Sequence, residues 1–260
     1  MRYLVGANIK MYRTWQEANQ WLADIDRQLP QSDLVDVALF PPFFSLVNAH
    51  GFITRPNIGW GAQNMAWEAR GPFTGEASPL MLKELGCRYV VLGHHERRLY
   101  FNENDRLVNL KIKLALAHGL RALVCVGEDA EYCLSGSESF LLGQMNEILE
   151  GVEPADPADL VIAYEPRWAI GQDESAGAMH ARLNCEVIRE CLVDSFGAAG
   201  REMRLIYGGS VTLKDLEDML LEKNINGLFI GRTALNPANF VRAVRAAQHQ
   251  AELDQAATAA

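Results

Sequence analysis

Eight short apolar runs, each followed by a longer stretch with helical spacing, constrain the fold of this chain more than any other feature. The runs are Tyr3–Gly6, Asp36–Phe40, Ile58–Ala62, Tyr89–Leu92, Ala122–Val126, Leu160–Tyr164, Arg204–Ile206 and Gly227–Ile230, and they read as buried strands. Helices are expected to start near Thr14, Phe43, Pro79, Asn104, Ser137, Ala176, Thr212 and Asn236. Ser78-Pro79 and Asn236-Pro237 place proline at the first helical position, where its missing N–H is no loss and its φ already suits a helix. Thr212-Leu-Lys-Asp215 has the form of a weaker capping box. Strands that alternate with helices pair in parallel through right-handed crossovers. Eight such units in 260 residues match a single closed (β/α)₈ barrel, an eight-stranded parallel barrel surrounded by helices. No linker, charge block or low-complexity stretch divides the chain. The domain is expected to span residues 1–252, with the Ala-rich tail 253–260 frayed.

Charge and cysteine usage narrow the partners. A net charge of −9 argues against nucleic acid or an anionic membrane as a partner. An anionic small molecule would then have to be held by a few placed cations and backbone N–H groups. The five cysteines are an odd number without a CxxC pair, which fits reduced thiols in a cytoplasmic enzyme. The N-terminus turns polar by Asn8 and Lys10, too soon for a signal peptide, and no apolar run reaches eighteen residues.

In a barrel of this kind the chemistry sits where strands run into the loops before helices. The sixth run ends on Glu165, a carboxylate at the mouth of a buried strand that is costly unless something there uses it. Pro166 then fixes φ, and Trp168, Ala169 and Ile170 lead to Gly171: a stiff start, an apolar body and a glycine end. Those are the parts of a lid that excludes water, although an ordinary apolar loop would read the same way. Asn8 and Lys10 can share a face of an extended segment, where the lysine would suit an anionic substrate or simply snorkel to solvent. The fourth run leads into Gly93-His94-His95-Glu96-Arg97-Arg98. Neighbouring positions on a strand point to opposite faces, so the two histidines are not expected to share a metal ion, and none is expected. His94 is placed to act as an electrophile or acid, and the charges after it form either a solvated face or an internal ion-pair network. Glu128, in the Cys125-Val-Gly-Glu128 turn, is expected to be structural. Tyr207-Gly-Gly-Ser-Val211 and Ile230-Gly-Arg232 offer small residues whose backbone N–H groups can approach a phosphate on the last two strands.

Together these segments resemble the triosephosphate isomerase family over nearly the whole chain. The motifs that carry the likeness are Asn8-Ile-Lys-Met11, Gly61-Ala-Gln-Asn64, Phe73-Thr-Gly-Glu76, Gly93 through Arg98, Cys125-Val-Gly-Glu128, Ala163-Tyr-Glu-Pro166 with Trp168-Ala-Ile-Gly171, and Tyr207-Gly-Gly-Ser-Val211. The resemblance implies a cofactor-free aldose–ketose isomerase of a small phosphorylated sugar. Glu165 matches the family's base and His94 its neutral imidazole, a pairing documented for this family together with its closing loop. Lys10 matches the active-site cation, Asn8 the oxyanion-side amide and Glu96 the carboxylate beside the lysine. Gly171, Ser210, Gly231 and Arg232 match positions whose N–H groups hold phosphate. The family's habit also implies a homodimer in which the Phe73–Glu76 loop enters its neighbour.

Four departures cluster around this site. His95 stands in place of a serine that pairs with the glutamate, and Ile9 in place of a tryptophan. The hinge reads Gln172-Asp-Glu174 rather than a Thr-Gly-Lys-like segment, and Arg232 replaces a glycine. They leave two substrates open: the glyceraldehyde 3-phosphate/dihydroxyacetone phosphate pair, or erythrulose phosphates as in the family's tetrulose-phosphate branch. A Schiff-base aldolase using Lys10 and a non-catalytic sugar-phosphate binder are the readings from other classes.

Overall fold

The structure, a computed structural model, describes residues 2–133, 135–170 and 176–259. Eight parallel strands close into a barrel in sequence order: β1 (Tyr3–Asn8), β2 (Val35–Phe40), β3 (Ile58–Ala62), β4 (Tyr89–Leu92), β5 (Arg121–Val126), β6 (Leu160–Tyr164), β7 (Arg204–Tyr207) and β8 (Gly227–Ile230). Pairing of Leu4 with Gly227 through Ala7 with Ile230 joins the last strand to the first, so no strand edge is left open.

Two apolar layers result from strands buried on both faces. Leu4, Phe40, Tyr89, Leu123, Val161 and Phe229 are among the residues that fill the barrel interior. The opposite faces of the strands pack with the helices, through residues such as Val5, Leu22, Ile112, Ile162, Ile188 and Phe240. Strand glycines make room for the aromatics: a Cβ on Gly6 would stand 2.8 Å from the Phe229 ring, and one on Gly59 2.7 Å from the Tyr89 ring.

Most helix starts follow local chemistry. Thr14 and Glu17 form a reciprocal capping box before the helix Trp15–Gln28. Ser78 caps Pro79–Glu84, Asn104 caps Asp105–Ala117, and Pro237 opens Pro237–Ala259. Three expectations need correction. The Thr212 box closes a turn, with Thr212 N–H and O–H both donating to Asp215, but the helix begins only at Leu216. An additional helix, His95–Phe101, follows β4. The boundary expected at residue 252 falls inside the last helix, which runs to Ala259, and the Tyr3 hydroxyl donates to Asp254 at 2.8 Å, tying it to β1.

The additional helix is anchored from below by buried charge. Arg97 Nε donates to Glu103 Oε2 at 2.6 Å, and Lys111 Nζ lies 3.1 Å from Glu103 Oε1 while donating to Asn64 at 2.8 Å. Glu103 and Lys111 side chains are each 1% exposed. Removing one member of such a pair leaves a buried charge poorly compensated. Lys111→Ala should therefore cost about 3–5 kcal/mol of stability, read as a lower urea midpoint with an unchanged slope.

Candidate active site

β1 ends on Asn8, and Lys10 follows in a left-handed conformation at φ +50°. Strand alternation therefore does not bring the two together. The Lys10 N–H donates to Asn8 Oδ1 at 2.9 Å, and Gln63 Nε2 donates to the Lys10 carbonyl at 3.0 Å. A non-glycine residue held there costs about 1–3 kcal/mol and persists only where its surroundings impose it. The bend carries Lys10 Nζ to 2.6 Å from Glu96 Oε1. Burial on its own would raise the Glu96 carboxyl, but Lys10 and the neighbouring imidazoles outweigh it and hold Glu96 below the ordinary range.

β4 stops at Leu92, and Gly93, at φ +67°, turns the chain away from the strand. A side chain there would collide with Arg98 and Val108. His94 then becomes the N-cap of the helix His95–Phe101, its Nδ1 accepting the Glu96 N–H at 3.3 Å. An imidazole that accepts at Nδ1 carries its proton on Nε2 when neutral. That Nε2 is 3.7 Å from Glu165 Oε1. Burial, opposed by Glu165 and Glu96 and reinforced by the neighbouring His95 and Lys10, pushes the His94 ring down to about 4, so it is neutral through the physiological range.

The two histidines do not point to opposite faces, because the chain has left the strand before reaching them. Their rings lie 4.5 Å apart, and both face Glu165. Among the described residues, His94, His95 and Glu96 are the one group whose metal-ligating atoms converge, all within 4.8 Å. Glu96 Oε1 is already paired with Lys10, and His94 Nδ1 with the Glu96 amide.

Glu165 follows β6 directly, its N–H donating to the Val126 carbonyl at 2.7 Å. The residue is 3% exposed. Two glycines clear space for it: a Cβ on Gly127 would strike the Glu165 carbonyl at 1.8 Å, and one on Gly208 its Cγ at 2.8 Å. Burial alone would raise this carboxyl, but the two imidazoles and Lys10 together hold it well below the ordinary range.

After Pro166, the segment Arg167–Ala169 forms one 3₁₀ turn. Trp168 Nε1 donates to Glu128 Oε1 at 2.8 Å, and the Tyr164 hydroxyl and His180 ring bond the same carboxylate. Glu128, fully buried, ties the start of this segment to the turn after β5. Ala169 is buried, and Ile170 lines the cavity. Gly171 and the Gln172–Glu174 hinge lie outside the described residues.

The remaining sequence-selected groups meet at the same cavity of about 670 Å³, whose lining includes Asn8, Lys10, Glu165, Ser210, Gly231 and Arg232. Gly209 sits close beside them: a Cβ there would stand 2.3 Å from the Tyr207 hydroxyl oxygen and displace that ring. Three lining residues carry no role legible in the sequence: Tyr12, Tyr100 and Thr233. Nor does Gln63, whose side-chain amide bonds the Lys10 and Phe40 carbonyls. The Gly61–Asn64 motif marks its position, but nothing local shows that it props up β1. Ile9, fully buried in the outer core, is a packing residue.

A closed parallel barrel with a buried carboxylate and a neutral imidazole at the C-terminal mouth of its strands defines an enzyme built for moving protons. The sequence profile of the triosephosphate isomerase family matches residues 3–247. The triosephosphate isomerase of Thermus thermophilus is 40% identical over 248 residues, covering 95% of this chain and 99% of its own. Those of Chloroflexus aurantiacus and Carboxydothermus hydrogenoformans are 39% and 40% identical over 243 residues, each covering 93% of this chain and 97% of their own. The chain belongs to the triosephosphate isomerase family, whose members are aldose–ketose isomerases.

Proposed function

We propose that this chain interconverts an aldose and a ketose phosphate without a cofactor, taking glyceraldehyde 3-phosphate and dihydroxyacetone phosphate as its substrate pair. The observation that carries the reading is the facing of Glu165 and neutral His94 across 3.7 Å in a cavity that also holds Lys10 and two glycine turns. Glu165 takes a proton from the carbon beside the carbonyl. The electron pair moves onto the carbonyl oxygen, where the His94 Nε2–H and the Lys10 ammonium meet the growing negative charge, with Asn8 beside them. His94 gives its Nε2 proton to that oxygen and takes one from the neighbouring hydroxyl, whose oxygen becomes the new carbonyl as protonated Glu165 delivers its proton to the neighbouring carbon. Backbone N–H groups of Gly171, Ser210, Gly231 and Arg232 hold the phosphate. Closure of Pro166, Trp168, Ala169 and Ile170 keeps water out and protects the intermediate from losing phosphate.

A second substrate reading, erythrulose phosphates, is favoured by Arg232, which brings a bulky cation into the cavity lining. The test is kcat/KM of the purified protein for glyceraldehyde 3-phosphate and for both erythrulose phosphates, side by side. Arg232→Gly is expected to shift the ratio between three- and four-carbon substrates, on the order of tenfold. An unchanged ratio would remove Arg232 as a specificity residue. The aldolase reading is disfavoured by the 2.6 Å contact of Lys10 with Glu96, since a salt-bridged ammonium is a poor nucleophile. Absence of a borohydride-trapped adduct would remove it. A non-catalytic binder would have no use for a buried Glu165 facing His94.

The protein is proposed to act as a homodimer in the cytoplasm. Large apolar side chains are exposed on the segments that follow β1, β2 and β4, among them Met11, Tyr12, Phe44, Leu99, Tyr100 and Phe101. The Phe73–Glu76 loop follows β3 on the same side, with Thr74 exposed. Thr74→Arg should convert dimer to monomer in light scattering after size exclusion; a wild-type monomer would refute the proposal. All five cysteines are free thiols, as a reducing compartment allows, and no described helix is long and apolar enough to cross a membrane.

A further inference from the structure

We infer that His95 is a positioning residue for Glu165, donating its Nδ1–H to the carboxylate oxygen that His94 does not serve. Glu165 Oε1 faces His94 Nε2 and Glu165 Oε2 faces His95 Nδ1, each at 3.7 Å. The Oε2 and Nδ1 atoms are both buried, and neither has a hydrogen-bond partner. A buried carboxylate oxygen without a donor is costly, more so than a neutral acceptor. Closing this gap by about 0.7 Å would give an ordinary hydrogen bond. The Cys125 thiol also faces this carboxylate, but a thiol is a weak donor. Packing of the His95 ring against His94, at 4.5 Å, limits its freedom to turn elsewhere.

The arrangement requires adjacent histidines in opposite tautomers. The Glu96 N–H fixes His94 as the Nε2–H form, and Glu165 fixes His95 as the Nδ1–H form. A carboxylate met by one planar donor on each oxygen has its orientation set before substrate arrives. This deepens the isomerase reading and rests on it for the kinetic consequence, but the tautomer does not.

The experiment is long-range ¹H–¹⁵N NMR of the resting enzyme with labelled histidine, alongside kinetics of two variants. The expected spectrum has His95 as Nδ1–H and His94 as Nε2–H, with His95 reverting towards Nε2–H in Glu165→Ala. His95→Ala is expected to lower kcat about 10- to 100-fold, the size of loss that misplacing a reacting group produces, with KM little changed. His95→Asn keeps an N–H near the Nδ1 position and should recover most of that loss. Finding His95 as Nε2–H in the unaltered enzyme, kcat of His95→Ala within twofold of the parent, or no recovery in His95→Asn would overturn the inference. If the protein isomerises no sugar phosphate at all, the proposed function fails, while the tautomer still reports whether His95 holds Glu165.

Discussion

Glu165→Gln is expected to lower kcat by about 10⁴-fold, the upper end of what a positioned general base contributes. Glutamine keeps the length and shape of the side chain between Gly208 and the two imidazoles, and its amide oxygen can still accept from His94 Nε2. It cannot take a proton. Three of the four groups assigned to the phosphate, Ser210, Gly231 and Arg232, lie on the turns after β7 and β8, so affinity for a phosphate-bearing, non-isomerisable ligand should stay within a few-fold of the parent. Calorimetry measures that affinity, and steady-state kinetics the turnover. A kcat within tenfold of the parent would refute the assignment of Glu165 as the base, whatever happened to binding.

His94→Gln should lower kcat by about 10²–10³-fold, the loss typical of removing one preorganised donor from a site where negative charge develops. The neutrality of His94 has a second consequence. Burial, with His95 and Lys10 beside it, holds the folded ring at about 4, below the ordinary value near 6.5. The unfolded chain therefore binds a proton first as pH falls. His94 contributes stability above about pH 6.5, loses it progressively as pH falls towards 4, and changes nothing further below that. In an NMR titration the His94 ring should remain unprotonated at pH 5.5. A protonated ring there would mean that an imidazolium, not an imidazole, faces the substrate oxygen.

The barrel was legible because its strands are mostly apolar and the helix starts at Thr14, Ser78 and Asn104 carry their own caps. Glu165 was legible for the same reason: a carboxylate ending a run such as Val161–Tyr164 stands out. What escaped the sequence depends on turns and distant partners. Lys10 is aimed by a left-handed backbone that Asn8 and Gln63 hold in place, 53 residues apart in the longer contact. The two histidines share a side because Gly93 ends the strand and His94 caps a helix, which alternation along a strand cannot express. Trp168 and His180 reach Glu128 across 40 and 52 residues. Spacing marked each as polar or apolar without showing which would meet. The likeness to a known family supplied roles there, and the geometry supplies the contacts that make those roles physically reasonable.

The central claim is proton transfer through an enediolate, and isomerisation in D₂O followed by ¹H NMR tests it most directly. Purified protein is given glyceraldehyde 3-phosphate and, separately, each erythrulose phosphate. Rapid turnover of at least one of them is expected, with solvent deuterium on the receiving carbon to the extent that the Glu165 carboxyl proton exchanges before delivery, and with turnover lost in Glu165→Gln. No turnover of any of the three, or undiminished turnover in Glu165→Gln, would contradict it.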